Sequence, residues 1–234
     1  FILLTGSSRG IGAAAYETLY DRGANVIGHQ TRPGDDDFIA ADFRDPYAAQ
    51  KLWDTALERS GGGIDVLVNN AGLFESNRID RNDLEWLDAW EDILRINLTA
   101  AAQLSRLAIK HWRERGVGGR LVHVASRAAY RGDSPAHWHY AAAKGGMVAM
   151  HKSIARGFAG EGILSFAITP GFTDTAMAGD YLESRGGAGL LADIPLGRVA
   201  EPEEIAKVIA FCALDAPPSM TGAVIDANGA SFVR

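Results

Sequence analysis

Residues 1–20 read F-I-L-L-T-G-S-S-R-G-I-G-A-A-A-Y-E-T-L-Y, and they constrain the fold more than any other stretch. An apolar run over 1–4 is too short for a buried helix and ends at Thr5-Gly6. Glycines follow at Gly6, Gly10 and Gly12, and then an alanine-rich helical pattern over 11–20. Strand, glycine loop and helix in that order make a phosphate-binding turn. Glycine lets the main chain approach a pyrophosphate, and the first turn of a helix offers unsatisfied N–H groups at the positive end of its dipole. The spacing G-x-x-x-G-x-G differs from the commoner dinucleotide fingerprint G-x-G-x-x-G. Ser8, Arg9 and Ile11 lie inside this loop and are placed to meet the same ligand. A glycine turn alone is weak, and its place between a strand and a helix carries the reading.

The pattern then alternates. Strands are expected over 23–30, 38–41, 64–68, 120–125, 163–168 and 223–226, and helices over 46–59, 82–115, 140–158 and 201–214. The link over 31–37 is too short and polar for a crossover helix. Strands alternating with helices imply a parallel sheet with right-handed crossovers. The expected fold is therefore α/β: a Rossmann-type, doubly wound parallel sheet of about seven strands with helices on both faces. One such domain over 1–234 fits the length.

Composition narrows the partners. The 23 Lys and Arg against 29 Asp and Glu give a net charge of −6, and no long basic run occurs, which argues against nucleic acid. No apolar stretch approaches the ~20 residues of a membrane span, and no signal peptide opens the chain. The run beginning at Phe1 is already apolar, so the native start is expected to be missing. A single cysteine, Cys212, excludes an internal disulfide and fits a reducing, cytoplasmic setting. It sits in an apolar helical pattern that reads as core. Six histidines are present, but none has ligand spacing, so no metal is expected.

The residues that follow each expected strand converge on one edge of that sheet. They are the glycine loop, Gln30, Asp42 with Phe43, Asn69-Asn70-Ala71-Gly72, Ser126 and Pro170-Gly171. Doubly wound sheets bind ligands at this edge. Tyr140 and Lys144 are four apart, on one face of a helix. A free Tyr ionises near about 10, and each unit of depression needs ~1.4 kcal/mol of differential stabilisation. An ammonium beside the phenol supplies part of that, and a Tyr so tuned can move a proton to or from a substrate oxygen. A Tyr and Lys at this spacing are more often a surface pair; the shared sheet edge raises the functional reading. Asn97 interrupts the apolar stripe of the 82–115 helix, formed by Trp86, Trp90, Ile93, Ala101, Leu104, Ala108 and Trp112. A buried amide must be bonded, as an ordinary core Asn or as one that orders a water or the helix beside the site.

Together these motifs resemble those of the short-chain dehydrogenases/reductases over essentially the whole chain. T-G-S-S-R-G-I-G resembles that family's T-G-x-x-x-G-x-G loop, Asn69–Gly72 its N-N-A-G, and Pro170-Gly171 its P-G turn. Asn97, Ser126, Tyr140 and Lys144 match its catalytic tetrad. The resemblance implies that Ser126 and Tyr140 hold a substrate carbonyl, with Tyr140 the general acid in reduction. It implies that Lys144 binds the nicotinamide ribose and lowers the Tyr140 pKa, and that Asn97 positions a water linking Lys144 to solvent. The main chain near Thr173, with Thr175 beyond it, is implied to meet the nicotinamide carboxamide. The Ser-to-Tyr interval is one residue longer than the family's usual spacing, which places an extra residue in the 131–139 loop. G-A-N-V-I-G, Y-A-A-A-K and P-L-G-R-V-A-E-P-E-E-I-A resemble the 3-oxoacyl carrier-protein reductases. Those enzymes grip an acidic carrier with basic residues near the site. Arg113 and Arg115 are available for that, while Glu161 stands where an Arg is expected.

The leading reading is an NAD(P)-dependent oxidoreductase acting on a carbonyl or secondary alcohol. An alcohol, sugar or steroid dehydrogenase using NAD is the alternative, and a silent nucleotide sensor belongs to another class. NADP(H) is favoured over NAD(H). Gln30 stands where an acidic residue would bind the ribose 2′-OH, and Arg9 and Arg32 can hold a 2′-phosphate by paired hydrogen bonds. Asp35, Asp36 and Asp37 oppose this. His137, Trp138 and His139 line the substrate mouth or pack near it. Residues 172–195 are expected to cover the substrate, the glycine-rich part over 178–194 being mobile. The resemblance and the extra apolar faces of the helices over 82–115 and 140–158 imply a homotetramer, with a homodimer as the smaller alternative.

Overall fold

The structure, a computed structural model, describes residues 1–34, 36–175 and 188–234. Asp35 and half of the segment expected to cover the substrate, residues 176–187, lie outside the described residues. The elements run β1 (Ile2–Leu4), α1 (Gly10–Asp21), β2 (Val26–Gln30), β3 (Ile39–Ala40), α2 (Ala48–Arg59), β4 (Val66–Asn69), α3 (Asp83–Leu94), a π turn (Arg95–Thr99) and α4 (Ala100–Arg115). Then come β5 (Gly119–Val124), α5 (Ala128–Arg131), α6 (Trp138–Phe158), β6 (Ile163–Pro170), α7 (Ala188–Ala192), α8 (Pro202–Ala210), a second π turn (Phe211–Asp215) and β7 (Val224–Ala227).

The strands form one seven-stranded sheet in the order β3-β2-β1-β4-β5-β6-β7. All pairings are parallel, with Leu4 opposite Gly28 on one side and Val68 on the other. The chain leaves β1 toward β2 and later crosses back to β4, so the strand order reverses beside β1. That switch point opens a crevice at the C-terminal strand ends. The link between β2 and β3 carries no helix among its described residues.

Alternation along the strands sends side chains to two apolar layers. On one face Ile2, Leu4, Val68 and Phe166 meet Ala14, Ala15 and Leu19 of α1 and Ile205, Ala206 and Ile209 of α8. On the other face Leu3, Leu67 and Leu121 meet Leu52 and Trp53 of α2 and Leu104, Ala108 and Trp112 of α4. Burying a side chain of this size is worth roughly 1.5–3 kcal/mol, so these layers fix the sheet and with it the crevice. Trp112 shows how tight the fit is: its indole N–H donates to the Ile64 carbonyl at 2.7 Å, and a Cβ on Gly119 would lie 2.2 Å from its ring.

The expected 82–115 helix is interrupted. Arg95–Thr99 widens to a π turn and swings Asn97 fully inward. An inserted π turn keeps both flanking helices in register with the core while re-aiming one residue. At the far end of α4, Arg113 pairs with Glu161 at 2.9 Å, and Arg115 lies against Gly63. Both arginines therefore stand at the N-terminal edge of the sheet, where β4 and β6 begin. The expectation that they flank the site entrance is corrected: α4 runs away from the crevice.

Candidate active site

A cavity of about 690 Å³ occupies the crevice. Gly6, Ser8, Arg9, Gly10, Ile11, Gly12, Gln30, Arg32, Asp42, Phe43, Asn70, Ala71, Gly72, Ser126, Tyr140, Lys144, Pro170, Gly171, Thr173 and Thr175 all line it. Of the four residues matched to the catalytic tetrad, Asn97 alone is not in the wall; it is buried directly behind Gly72.

The nucleotide end is built from main chain. Gly6 and Gly10 have φ of +71° and +55°, the left-handed region that favours glycine. A Cβ on Gly12 would lie 1.8 Å from the Gly6 carbonyl oxygen, so α1 can start this close to the loop only with glycine there. Two clasps hold the loop. From the β4 side, the Asn70 amide donates to the carbonyls of Thr5 (2.9 Å) and Gly6 (3.1 Å). The Thr5 hydroxyl in turn accepts the main-chain N–H groups of Asn70 and Ala71, each at 3.0 Å. From the β2 side, His29 Nδ1 accepts the Gly6 N–H at 3.0 Å, and the Ser7 N–H donates to the His29 carbonyl at 2.8 Å. His29 also lies in the cavity wall and was missed by sequence reasoning, because a lone His in a strand carries no spacing signal. The cradle fits a dinucleotide: glycines bound the channel and α1 starts inside it.

Arg9 and Arg32 both border this end, beside Gln30 and Thr31. Asp36 and Asp37 are not cavity-lining; their main-chain carbonyls accept from Arg59 at 3.4 Å and 2.8 Å.

At the other end, β5 delivers Ser126 and α6 delivers Tyr140 and Lys144. Ser126 and Tyr140 share a hydrogen bond. The Ser126 hydroxyl oxygen also accepts the Ala128 N–H at 3.1 Å, which orients it at the start of α5. Lys144 is 3% exposed, and its ammonium donates to the Val124 carbonyl at 2.8 Å and lies 5.8 Å from the centre of the Tyr140 ring. Burial pushes the Tyr140 phenol up to about 12, opposed by the Ser126 hydrogen bond. Burial also pulls Lys144 down to about 8. The Tyr140 shift therefore runs opposite to the implied depression: desolvation of the phenolate outweighs the Ser126 hydrogen bond, and the Lys144 ammonium is directed to the Val124 carbonyl.

The Asn97 amide pairs with the main chain of Leu73, accepting its N–H and donating to its carbonyl, both at 2.8 Å. A Cβ on Gly72 would lie 2.8 Å from Asn97 Oδ1 and 3.6 Å from Lys144 Nζ. Asn97 therefore pins the strand-to-loop exit of β4 against the lysine.

The substrate side carries larger residues. Phe74 packs edge-on to Tyr140 at 4.8 Å and stacks on His137 at 4.2 Å. His137 and His139 are buried behind this wall and Trp138 is half exposed, so none of the three lines the cavity. Phe172 lies under the Arg127 guanidinium at 4.7 Å. Phe74, Phe172, Arg127, Glu75 and Asp133 complete that end and carried no sequence signal. No metal-binding cluster occurs among the described residues. No described helix is long and apolar enough to cross a membrane.

Residues 6–229 match the family described as enoyl-(acyl carrier protein) reductase. The 3-oxoacyl-(acyl-carrier-protein) reductase FabG of Haemophilus influenzae is 35% identical over 99% of this chain and 97% of its own length. Cis-4-hydroxycyclohexanecarboxylate dehydrogenase of Sinomonas cyclohexanicum is 34% identical over 97% of this chain and 94% of its own. A crystal structure described as a 2-deoxy-d-gluconate 3-dehydrogenase from Agrobacterium tumefaciens, with bound NADP, superposes with a TM-score of 0.85 at 27% identity. That match covers 97% of this chain and 94% of the other.

Proposed function

The chain belongs to the short-chain dehydrogenase/reductase family and is an oxidoreductase acting on C=O or CH–OH groups. From that premise we propose an NADP(H)-dependent carbonyl reductase of the 3-oxoacyl type, with Asn97, Ser126, Tyr140 and Lys144 as its machinery. The observation that carries the reading is the meeting of Ser126, Tyr140 and Lys144 in one wall of the cavity whose other end is the glycine loop.

A bound nicotinamide nucleotide supplies hydride. The chain's own residues do the rest. The glycine loop and the first turn of α1 hold the pyrophosphate, and Asp42 and Phe43 border the adenine end. Lys144 holds the nicotinamide ribose, and the main chain around Pro170, Gly171 and Thr173, with Thr175, holds the carboxamide. Ser126 and Tyr140 bond the substrate oxygen. A phenol pushed up to about 12 stays protonated at neutral pH, so Tyr140 enters reduction as the proton donor. Asn97 keeps the Leu73 loop fixed beside Lys144.

NADP(H) preference is supported by Arg9 and Arg32 in the wall and by the neutral Gln30 that lines it with them. Removing both arginines should cut the NADP(H)-over-NAD(H) ratio of kcat/KM by about tenfold or more. An unchanged ratio would show that they do not read the phosphate.

A second substrate reading rests on Arg127. Arg127 lines the wall one residue past Ser126, its guanidinium over the Phe172 ring and 3.9 Å from Asp193, and a carboxylate on a cyclic alcohol or ketone would share that charge. Arg113 and Arg115, at the opposite sheet edge, offer no grip on a carrier at the cavity mouth. Assaying 3-oxoacyl thioesters beside cyclic ketones with and without a carboxylate, with each nucleotide, separates the two readings. No nicotinamide oxidation with any carbonyl would overturn both.

A homotetramer is proposed on the family likeness and on half-buried Leu98 and Leu107, which leave α4 and the π turn apolar beyond the sheet-facing side. Sedimentation as a monomer at micromolar concentration would contradict it. We place the protein in the cytoplasm because its one cysteine, Cys212, is free and buried in the core.

A further inference from the structure

We propose that neutral His29 is a positioning residue that holds the glycine loop in its nucleotide-binding shape, and that protonating its Nδ1 releases the loop and weakens nucleotide binding. This rests on the nucleotide-binding reading above and adds a residue and a control to it.

The imidazole is saturated in one protonation state only. Nδ1 receives the Gly6 N–H at 3.0 Å and must be an acceptor there. Nε2 lies 2.8 Å from the Ala41 carbonyl, which can only accept, so Nε2 carries the proton. Both sites are therefore assigned, and the ring is the neutral Nε2–H tautomer. Phe43 stacks on it at 4.6 Å with planes 20° apart, which fixes the ring's rotation. His29 is 1% exposed.

These contacts tie three strands together at the site. Gly6 belongs to the loop after β1, His29 to β2, and Ala41 and Phe43 to the segment after β3. The main chain of His29 adds two more bonds, its carbonyl to the Ser7 N–H at 2.8 Å and its N–H to the Ser7 hydroxyl at 3.2 Å. The Ser7 hydroxyl donates onward to the Leu4 carbonyl at 2.8 Å. The Gly6 N–H, the Ser7 N–H and the Ser7 hydroxyl thus all bond His29.

A second proton on Nδ1 would place two donors face to face, Nδ1–H against Gly6 N–H, with no water-filled space between them. Gly6 is held at positive φ and cannot turn its N–H away without moving the turn that α1 starts from. Burial lowers the affinity of His29 for that proton, while the Ala41 carbonyl and the charge of Asp42 pull the other way. Other charged groups near this end are Arg9 and Arg32 in the cavity wall and Arg44, which pairs with Asp92 at 2.8 Å. On the α2 side the layer is apolar, with Ala48, Ala49 and Leu52.

The test is calorimetric binding of NADP⁺ and of NAD⁺ to the whole chain, from about pH 8 down to about pH 5.5, with thermal midpoints measured alongside. NAD⁺ is included because it lacks the phosphate monoester that titrates in this range. Wild type should lose affinity for both nucleotides toward acid. His29→Phe keeps the stack but not the acceptor; it should bind about tenfold more weakly at about pH 8 and show no acid loss beyond that of the nucleotide itself. His29→Asn places a non-titrating acceptor near the Nδ1 position. It should bind within about threefold of wild type at about pH 8 and keep its affinity at about pH 5.5. A merely structural role would move the midpoints and leave the acid limb in both variants. Wild type that binds neither nucleotide overturns the nucleotide reading and this one together. Wild type that binds, with the same acid limb in both variants, overturns this inference alone.

Discussion

The two ends of the cavity are built from different materials. The nucleotide end is main chain, with three glycines, the start of α1, carbonyls clasped by Asn70 and an N–H held by His29. The substrate end is side chain: Tyr140, Phe74, Arg127 and Phe172 converge from loops and helices far apart in sequence. A main-chain cradle demands particular residue types at fixed spacing, because an added Cβ collides with fixed backbone. A side-chain wall demands only that a shape be filled, which many residues can do. The first end is therefore rigid, specific and written into local sequence, and the second is free to vary with substrate.

That contrast can be broken most sharply at Tyr140, where the ends meet. Tyr140→Phe should lower turnover by about 10²–10⁴-fold while nucleotide dissociation constants stay within about threefold. Turnover within tenfold of wild type would remove Tyr140 from the chemistry. The next effect separates the two ends. Gly12→Ala would put a methyl 1.8 Å from the Gly6 oxygen, and the forced shift should weaken nucleotide binding by about 10- to 100-fold. Phe172→Ala should instead raise KM for the carbonyl about tenfold and leave nucleotide binding unchanged. If both variants moved both constants equally, the ends would not be separate.

Acid stability is an effect of another kind, spread over several pH units. His123, buried under Lys144, has its pKa pulled down to about 3 by burial, with His151 and Lys144 adding repulsion. Its unfolded value is near about 6.5. A group with a lowered folded pKa gives stability that is full above the unfolded value and lost as pH falls toward the folded one. Between about pH 6.5 and about pH 3.5, His123 alone should cost about 1.4 kcal/mol per pH unit, read from urea midpoints. A flat profile across the upper half of that window would mean that the ring is not held neutral.

Much of the fold was legible because its signals are local. Glycine spacing, strand-length apolar runs and the alternation of elements gave the parallel sheet and the edge at which the marked residues gather. Three features were not. The π turn at Arg95–Thr99 leaves the apolar steps of three and four undisturbed, so the 82–115 pattern reads as one straight helix. His29 acts through two hydrogen bonds to residues that only the folded sheet brings close. The directions of the Tyr140 and Lys144 shifts depend on burial, which spacing does not report. Spacing put the lysine beside the tyrosine; the fold turned its ammonium to the Val124 carbonyl.

The central claim is direct hydride transfer to a carbonyl with Tyr140 as proton donor. Its most direct measurement supplies NADPH deuterated on the transferred face of nicotinamide C4 and weighs the alcohol formed from each reducible ketone. One deuterium on the carbinol carbon is predicted for wild type, with alcohol formation collapsing in Tyr140→Phe although the nucleotide still binds. Alcohol carrying no deuterium, with either face of the nicotinamide labelled, or undiminished labelled product from Tyr140→Phe, would contradict the account.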